Sequence, residues 1–311
     1  MKKTLINGLL LLIATAIAMS FSSCSDEDEG SGTTPIPVQT DINGNKFRVS
    51  SVGRAYYQYD ENGHLKSLVI GDTKINVNGS TFSYKEKDED DGEVSETVKV
   101  NFNQDGLITS WSTSGICKYD DGEWEKWTEK GTLKYNSERQ MTSMSSNCTY
   151  SGKIDEESYS ERYSIIQNNI WEDGNLVKWE FEENDDGDKD EGNYDISYGN
   201  RSNPTLQFPL NMIDCFEFFD TEIIAYLVPL GYCGVGPTYF PTSIYYYSLY
   251  FSLNDNGTIH SENGYTYSYD SGESSSMAPY LGGATSKEVN AKKKLNIRKR
   301  HKIRHRNQQE L

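Results

Sequence analysis

Histidine, cysteine and proline are scarce in this 311-residue chain, at four, five and eight copies. Two of the histidines, His301 and His305, sit in the C-terminal tail, and His64 and His260 each follow a turn. A catalytic triad needs a histidine held between a carboxylate and a nucleophile. No G-x-S-x-G context accompanies these histidines, so nothing supports that chemistry. The cysteines lack metal-ligand spacing and are too few for a disulfide-dense framework. Basic residues are also outnumbered, 30 against 47 acidic, for a net charge of −17 and a pI near 4.7. Such a body repels phosphates, so nucleic acid is not an expected partner. Beyond the first twenty residues no apolar run reaches the length of a membrane span. What the chain has in quantity is aromatics, 12% of residues with 22 tyrosines. That much apolar surface can offset chain entropy and excludes disorder for most of the sequence.

Lys2 and Lys3 precede an apolar run from Leu5 to Met19, which is signal-peptide length and too short to span a bilayer. Ser22-Ser23-Cys24 then resembles a bacterial lipoprotein signal, although Phe21 stands where such signals usually carry an aliphatic residue. The resemblance implies removal of residues 1–23 and a palmitate-type lipid anchor on Cys24. The acidic run Ser25 to Glu29 resembles the signal that sends Bacteroidota lipoproteins to the outer face of the outer membrane. It also reads as a solvated, self-repelling linker. Both readings fit residues 24–39 as a flexible tether continuing through Gly30 to Pro37.

Four cysteines remain, Cys117, Cys148, Cys215 and Cys233. In an exported chain they could pair as Cys117–Cys148 and Cys215–Cys233. The alternative is four buried thiols, which fits Cys148 sharing a strand face with Met144 and Tyr150.

The body reads as all-β, an antiparallel hairpin meander forming a large curved sheet or open barrel, one domain over residues 40–285. One pattern recurs: an apolar residue, a polar turn ending in Gly, then an apolar residue two positions later. Tyr59 to Leu68 (Y-D-E-N-G-H-L-K-S-L) is the cleanest copy. Phe102 to Trp111, Ile170 to Trp179 and Leu253 to Ile259 repeat it, and Tyr135 to Met144 fits with Arg139 in the Gly position. Asp or Asn suits the turn, and Gly takes the left-handed conformation that closes it. The copies are unevenly spaced, so this is a motif and not a solenoid period.

Flanking segments alternate as half-solvated strands do. Val98, Val100 and Phe102 share a face, as do Val177, Trp179 and Phe181, and Tyr159, Tyr163 and Ile165. The acidic runs Glu86 to Glu93 and Glu182 to Glu191 read as hairpin tips. Met212, Phe216, Phe219, Ile223 and Leu227 predict one short helix near residues 212–228, ended by Pro229 and covering a sheet face or edge. Ser243 to Leu253 reads as a single aromatic strand.

The hairpin copies resemble the tyrosine-aspartate repeats of rearrangement-hotspot proteins. Y-D-E-N-G-H-L, then Y-G-N-R-S-N-P at Tyr198 to Pro204, then F-P-T-S-I before a last aromatic strand, come in an order that resembles an uncharacterised family of Bacteroidota surface lipoproteins, a domain of unknown function. The resemblance covers residues 40 to 270. It implies an antiparallel β fold and carries over no catalytic residue.

Residues 287–311 hold ten Lys or Arg and two Glu, a local +8 that leaves −25 on the remaining 286 residues. This basic tail, residues 286–311, reads as disordered, with binding to an anionic surface as the alternative. No cofactor is expected. Asp186, Asp188 and Asp190 could offer oxygen to calcium, but Glu191 stands where an EF-hand loop has its Gly, and a solvated hairpin tip is the simpler reading. Candidate ligand-stacking rings are Tyr246, Tyr250, Trp124 and Trp127, on a strand face or elsewhere, against the plainer reading of covered or singly exposed aromatics. The expected function is a lipid-anchored cell-surface binding module, non-enzymatic, for a glycan or a partner lipoprotein. The alternatives are a carboxylate-based glycan-processing enzyme and a structural spacer.

Overall fold

The repeat turns start the architecture: four copies reverse the chain in five residues, the copy at Ile170 to Trp179 does so in two, and each delivers an apolar side chain to the core. The computed structural model describes residues 34–36, 39–88, 92–119, 122–154, 157–209, 222–244 and 247–271. The chain divides into two compact units, 1–32 and 33–311, and all described residues belong to the second. The signal segment, Cys24, Cys215, Tyr246, the basic tail and Met212, Phe216 and Phe219 lie outside the described residues.

The strands are β1 (Gln39–Thr40), β2 (Lys46–Val52), β3 (Ala55–Tyr59), β4 (Leu65–Ile70), β5 (Thr73–Asn78) and β6 (Thr81–Asp88). Then come β7 (Gly92–Phe102), β8 (Ile108–Lys118), β9 (Trp124–Tyr135), β10 (Met141–Ile154), β11 (Glu157–Glu172), β12 (Asn175–Asp185) and β13 (Asp188–Ser202). Helix α1 (Glu222–Leu227) runs into a 3-10 turn at Val228–Leu230. The last strands are β14 (Tyr239–Ile244), β15 (Tyr247–Ser248), β16 (Phe251–Leu253), β17 (Ile259–Glu262) and β18 (Tyr265–Ser271).

From β2 to β15 each strand pairs antiparallel with the next. β16, β17 and β18 form a second run, and β18 pairs back onto β2. The two runs meet in the chain itself. Leu249 N–H donates to Thr242 O at 2.8 Å, and the Asn263 N–H donates to Tyr250 O at 3.1 Å. Residues 247–253 therefore touch β14 with their first half and β17 with their second, and Phe240 stacks on Phe251 across that seam at 4.7 Å. The curved sheet is thus rolled into an open barrel.

Five turns led by Asp or Asn share one geometry: Asp41–Asn45, Asp60–His64, Asn103–Leu107, Asn136–Gln140 and Asn254–Thr258. In each, the first N–H donates to the fifth carbonyl and the fourth N–H returns to the first carbonyl, at 2.9–3.1 Å. In four of them the first side chain's Oδ1 also accepts the third and fifth N–H groups. The fourth residue has positive φ, from 64° at Arg139 to 90° at Gly63, so Arg139 does take the glycine position. These turns precede β2, β4, β8, β10 and β17, strands that all run the same way, so they gather at one end of the barrel.

Beside the turns the pairing slips, and the apolar residue that follows turns its carbonyl to a side chain. Slips occur at Gln58/Tyr59, Asn101/Phe102, Met141/Ser143, Ile170/Trp171 and Ser252/Leu253. The Leu65 carbonyl accepts Thr34 Oγ1 at 3.2 Å, that of Ile108 accepts Tyr135 Oη at 2.7 Å, and that of Met141 accepts both Asn169 Nδ2 and Trp171 Nε1 at 2.8 Å. The Leu176 and Ile259 carbonyls accept Tyr198 and Tyr269 hydroxyls at 2.8 and 2.7 Å. Tyrosine suits this task because its ring fills the core while its hydroxyl reaches a carbonyl that the ladder leaves over.

The helix plugs the same end. Every residue from Ile223 to Leu230 is buried except the half-buried Ala225. Tyr57 Oη donates to Tyr226 O, Tyr232 Oη donates to Pro35 O, and Ile108 N–H donates to Tyr232 O, all within 2.7–2.8 Å. The expected helix is thus present within residues 222–227, but Pro229 sits inside the following turn, and the segment is buried on all sides, not on one stripe.

Other expectations change. Thr34 is buried, and His64 Nδ1 lies 2.5 Å from its carbonyl, so packed structure begins ahead of residue 40. Ser243 to Leu253 is not one strand, because β15 pairs back on β14. That puts Ile244 in the core and leaves Tyr247 44% exposed. The slip at Ile170/Trp171 puts Leu176, not Val177, in the core beside Trp179. Cys117 on β8 and Cys148 on β10 are buried thiols separated by β9, which excludes that disulfide, and Cys233 is also a buried thiol.

Burial raises the ionisation of Tyr57, Tyr59, Tyr135, Tyr198, Tyr232 and Tyr269 above the ordinary phenol range. A raised folded-state value means stability is intact below pH 10 and falls above it, because the unfolded chain deprotonates first, at about 1.4 kcal/mol per pH unit for each such group. Spectrophotometric titration is expected to show these tyrosines ionising together, with alkaline unfolding and not before it. Tyr135→Phe, which strands the Ile108 carbonyl, is expected to cost about 1–3 kcal/mol in urea denaturation.

Candidate functional site

Away from the plugged end, β6 to β13 are long, and their inner face changes character. It begins with the core residues Val98, Val100, Trp111, Leu133, Met144 and Trp179. Strand alternation then places Glu86 on β6, Glu96 on β7, Glu125 and Glu129 on β9, and Glu157 and Glu161 on β11 on that same face. Glu183 and Asp185 on β12, and Asp188 and Asp190 on β13, continue it. The lysines and arginines of these strands, up to Tyr198, alternate the other way. Lys85, Lys87, Lys99, Lys118, Lys126, Lys130, Lys134, Lys153, Arg162, Lys178 and Lys189 all face outward. The basic residues are thus confined to the outer face, which they share with Glu93, Glu180, Glu182, Glu191 and Asp195, while the inner face carries acids alone.

The inner carboxylates are built in. Glu125, 7% exposed, accepts Tyr119 Oη on Oε2 at 2.5 Å and Tyr159 Oη on Oε1 at 2.6 Å. Burial first, and these bonds to Glu125 second, hold both phenols above their ordinary range. Glu129, 2% exposed, accepts Ser146 Oγ at 2.6 Å, and Glu96 Oε2 accepts Trp127 Nε1 at 2.7 Å. A buried carboxylate is tolerated when charge-assisted hydrogen bonds replace water.

Glycines set the rings beside them. Trp127 lies across Gly115, Tyr159 across Gly152, and Phe181 across Gly192, each close enough that a Cβ on the glycine would strike the ring. Phe181 also stacks on Tyr194 at 5.3 Å and 17°. A ring laid flat over a strand glycine covers the backbone and presents its other face inward. The result is a wall of half-buried aromatic platforms with carboxylate acceptors between them.

Of the expected stacking residues that the structure describes, only Trp127 belongs to this wall. Trp124 is three residues away in the same strand and so points outward, where Lys126 Nζ sits 4.9 Å from its ring. Tyr250 is 73% exposed at the seam, away from Trp127, and Tyr246 lies outside the described residues. Trp124, Trp127 and Tyr250 therefore do not form one site. Asp186 occupies a two-residue turn with φ of 52°, and Asp188 and Asp190 follow on β13. Among the described residues no three His, Cys, Asp or Glu converge to hold a metal. Sequence reasoning misses Glu96, Glu125 and Tyr159 as site residues, although the alternation of Glu125-Trp127-Glu129 against Lys126-Lys130 is there to be read.

No family model matches the chain, and no curated protein does. Among solved structures it is similar to a porin-like protein from Bacteroides vulgatus ATCC 8482, with 12% identity over 71% of this chain and 96% of that one and a TM-score of 0.44. A porin-like protein from Bacteroides uniformis ATCC 8492 matches at 12% identity over 61% and 96%, with a TM-score of 0.29. At these values neither likeness carries an argument about function.

Removing both phenolic donors tests whether the wall depends on them. Tyr119→Phe/Tyr159→Phe is expected to lose about 2–4 kcal/mol at neutral pH by urea denaturation, because Glu125 stays buried without them.

Proposed function

We propose that this chain is a lipid-anchored, cell-surface binding module without catalytic activity, held to the outer membrane through Cys24 and facing outward. The anchor and address rest on the lipoprotein-type signal and the acidic run behind Cys24. The observation that carries the binding role is the inner wall. Trp127 is fixed over Gly115 by its bond to Glu96, and Tyr159 over Gly152 by its bond to Glu125. Flat rings with carboxylates at their edges suit a sugar, whose C–H face stacks on the ring while its hydroxyls donate to the acids. A glycan is therefore the ligand class proposed for this wall.

A glycan-array and thermal-shift screen of the mature chain tests this. A sugar hit is expected to weaken at least tenfold in Trp127→Ala and to be unchanged in Trp124→Ala and Tyr250→Ala, whose rings lie off the wall. Loss in Tyr250→Ala with Trp127→Ala unaffected would move the site to the seam.

A further inference from the structure

We propose that the basic C-terminal segment of this chain, residues 287–311, docks on the carboxylate-lined inner face at the barrel end opposite α1. The chain then carries its own occupant for that face. Three observations support it. The inner face from β6 to β13 presents acids and, among described residues, no lysine or arginine, while the outer face of the same strands presents eleven. The tail supplies the missing sign, with six lysines and four arginines in its 25 residues. Guanidinium groups bind carboxylates in paired bonds and stack on aromatic faces, which are the two surfaces this wall offers.

The third observation is reach. β18 ends at Ser271, opposite Phe47 and close to the repeat-turn end. Residues 272–291 separate that point from the run beginning at Lys292. Fully extended they cover about 66 Å, at about 3.3 Å per residue. The long strands are shorter than that, since the 14 residues of β10 rise only about 46 Å. The basic run can therefore reach the far rim and turn inward. A ligand for the wall would have to displace the tail, which would make binding dependent on salt or on a competing anion. Tail docking does not depend on the glycan reading, since it needs the carboxylates and not a sugar.

Limited trypsin digestion of the full-length chain tests the proposal, because the docked tail shields its own Lys and Arg. Release of the tail is expected to be slow at low salt and about tenfold faster at about 0.5 M salt, where the Debye length falls below about 5 Å. Glu157→Gln/Glu183→Gln/Asp190→Asn removes three inner charges at half-exposed or exposed positions and is expected to give fast release even at low salt. Glu180→Gln/Glu182→Gln/Glu191→Gln removes three exposed charges from the outer face and is expected to behave as the unmodified chain. Carbodiimide cross-linking of the full-length chain should join tail lysines to Glu157, Glu183 or Asp190. Equal release rates in all three proteins, or cross-links that favour the outer carboxylates, would overturn the proposal. A sugar hit on Trp127 alongside unprotected tail cleavage would sink tail docking and leave the glycan reading standing.

Discussion

Four of the five-residue turns are followed by a backbone carbonyl that the ladder leaves over, and side chains from elsewhere in the domain supply each of these carbonyls with a donor. The five-residue turn slips the pairing by one position, which frees Leu65, Ile108, Met141 or Ile259 from the ladder, and a slip beside the tighter Asp173-Gly174 turn frees Leu176. An unpaired buried carbonyl costs as much as a lost hydrogen bond. A tyrosine, tryptophan, asparagine or threonine from elsewhere in the fold meets each one. This demand accounts for Tyr135, Tyr198 and Tyr269, each set inward beside a turn. It also gathers the turns, the donors and the helix at one end, so that the barrel is closed there by packing and hydrogen bonds together.

Toward the other end the same strands continue past the core, and their inward positions pass from apolar to acidic. Neighbouring strands lie about 4.8 Å apart, so carboxylates on successive inner positions would repel one another if left bare. The structure answers with phenols, a hydroxyl and an indole N–H placed across from them, and with lysines on the outer face that do not share the concave side. Flat rings over Gly115, Gly152 and Gly192 exist because a side chain at those positions would lift the ring off the sheet. Burial, ring orientation and charge sign on this wall are therefore one arrangement, and a change in any of them disturbs the others.

Much of the fold is legible in sequence because local chemistry fixes it. Asp60, Asn103 and Asn136 announce their turns by the Asx bonds they make, and spacing alone assigns Arg139 to the glycine position. The site is less legible, for a physical reason. Reading polar residues as solvent-facing treats Glu125 and Lys126 alike, yet one is buried under two phenols and the other is exposed. Residue type groups Trp124 with Trp127, although three positions along a strand put them on opposite faces. The single strand expected over Ser243 to Leu253 fails because its aromatics suit a strand and a hairpin equally well, and only the pairing of β15 with β14 distinguishes them.

By itself, then, the sequence determined the all-β class, the hairpin positions and the inward alternation, since these follow from turn chemistry and a period of two. Only the tertiary structure decided which residues meet across strands. That Tyr119 and Tyr159 share Glu125, that Trp127 rests on Gly115, and that Cys117 and Cys148 stay apart all depend on register, and register is set by slips and closure that no local window contains.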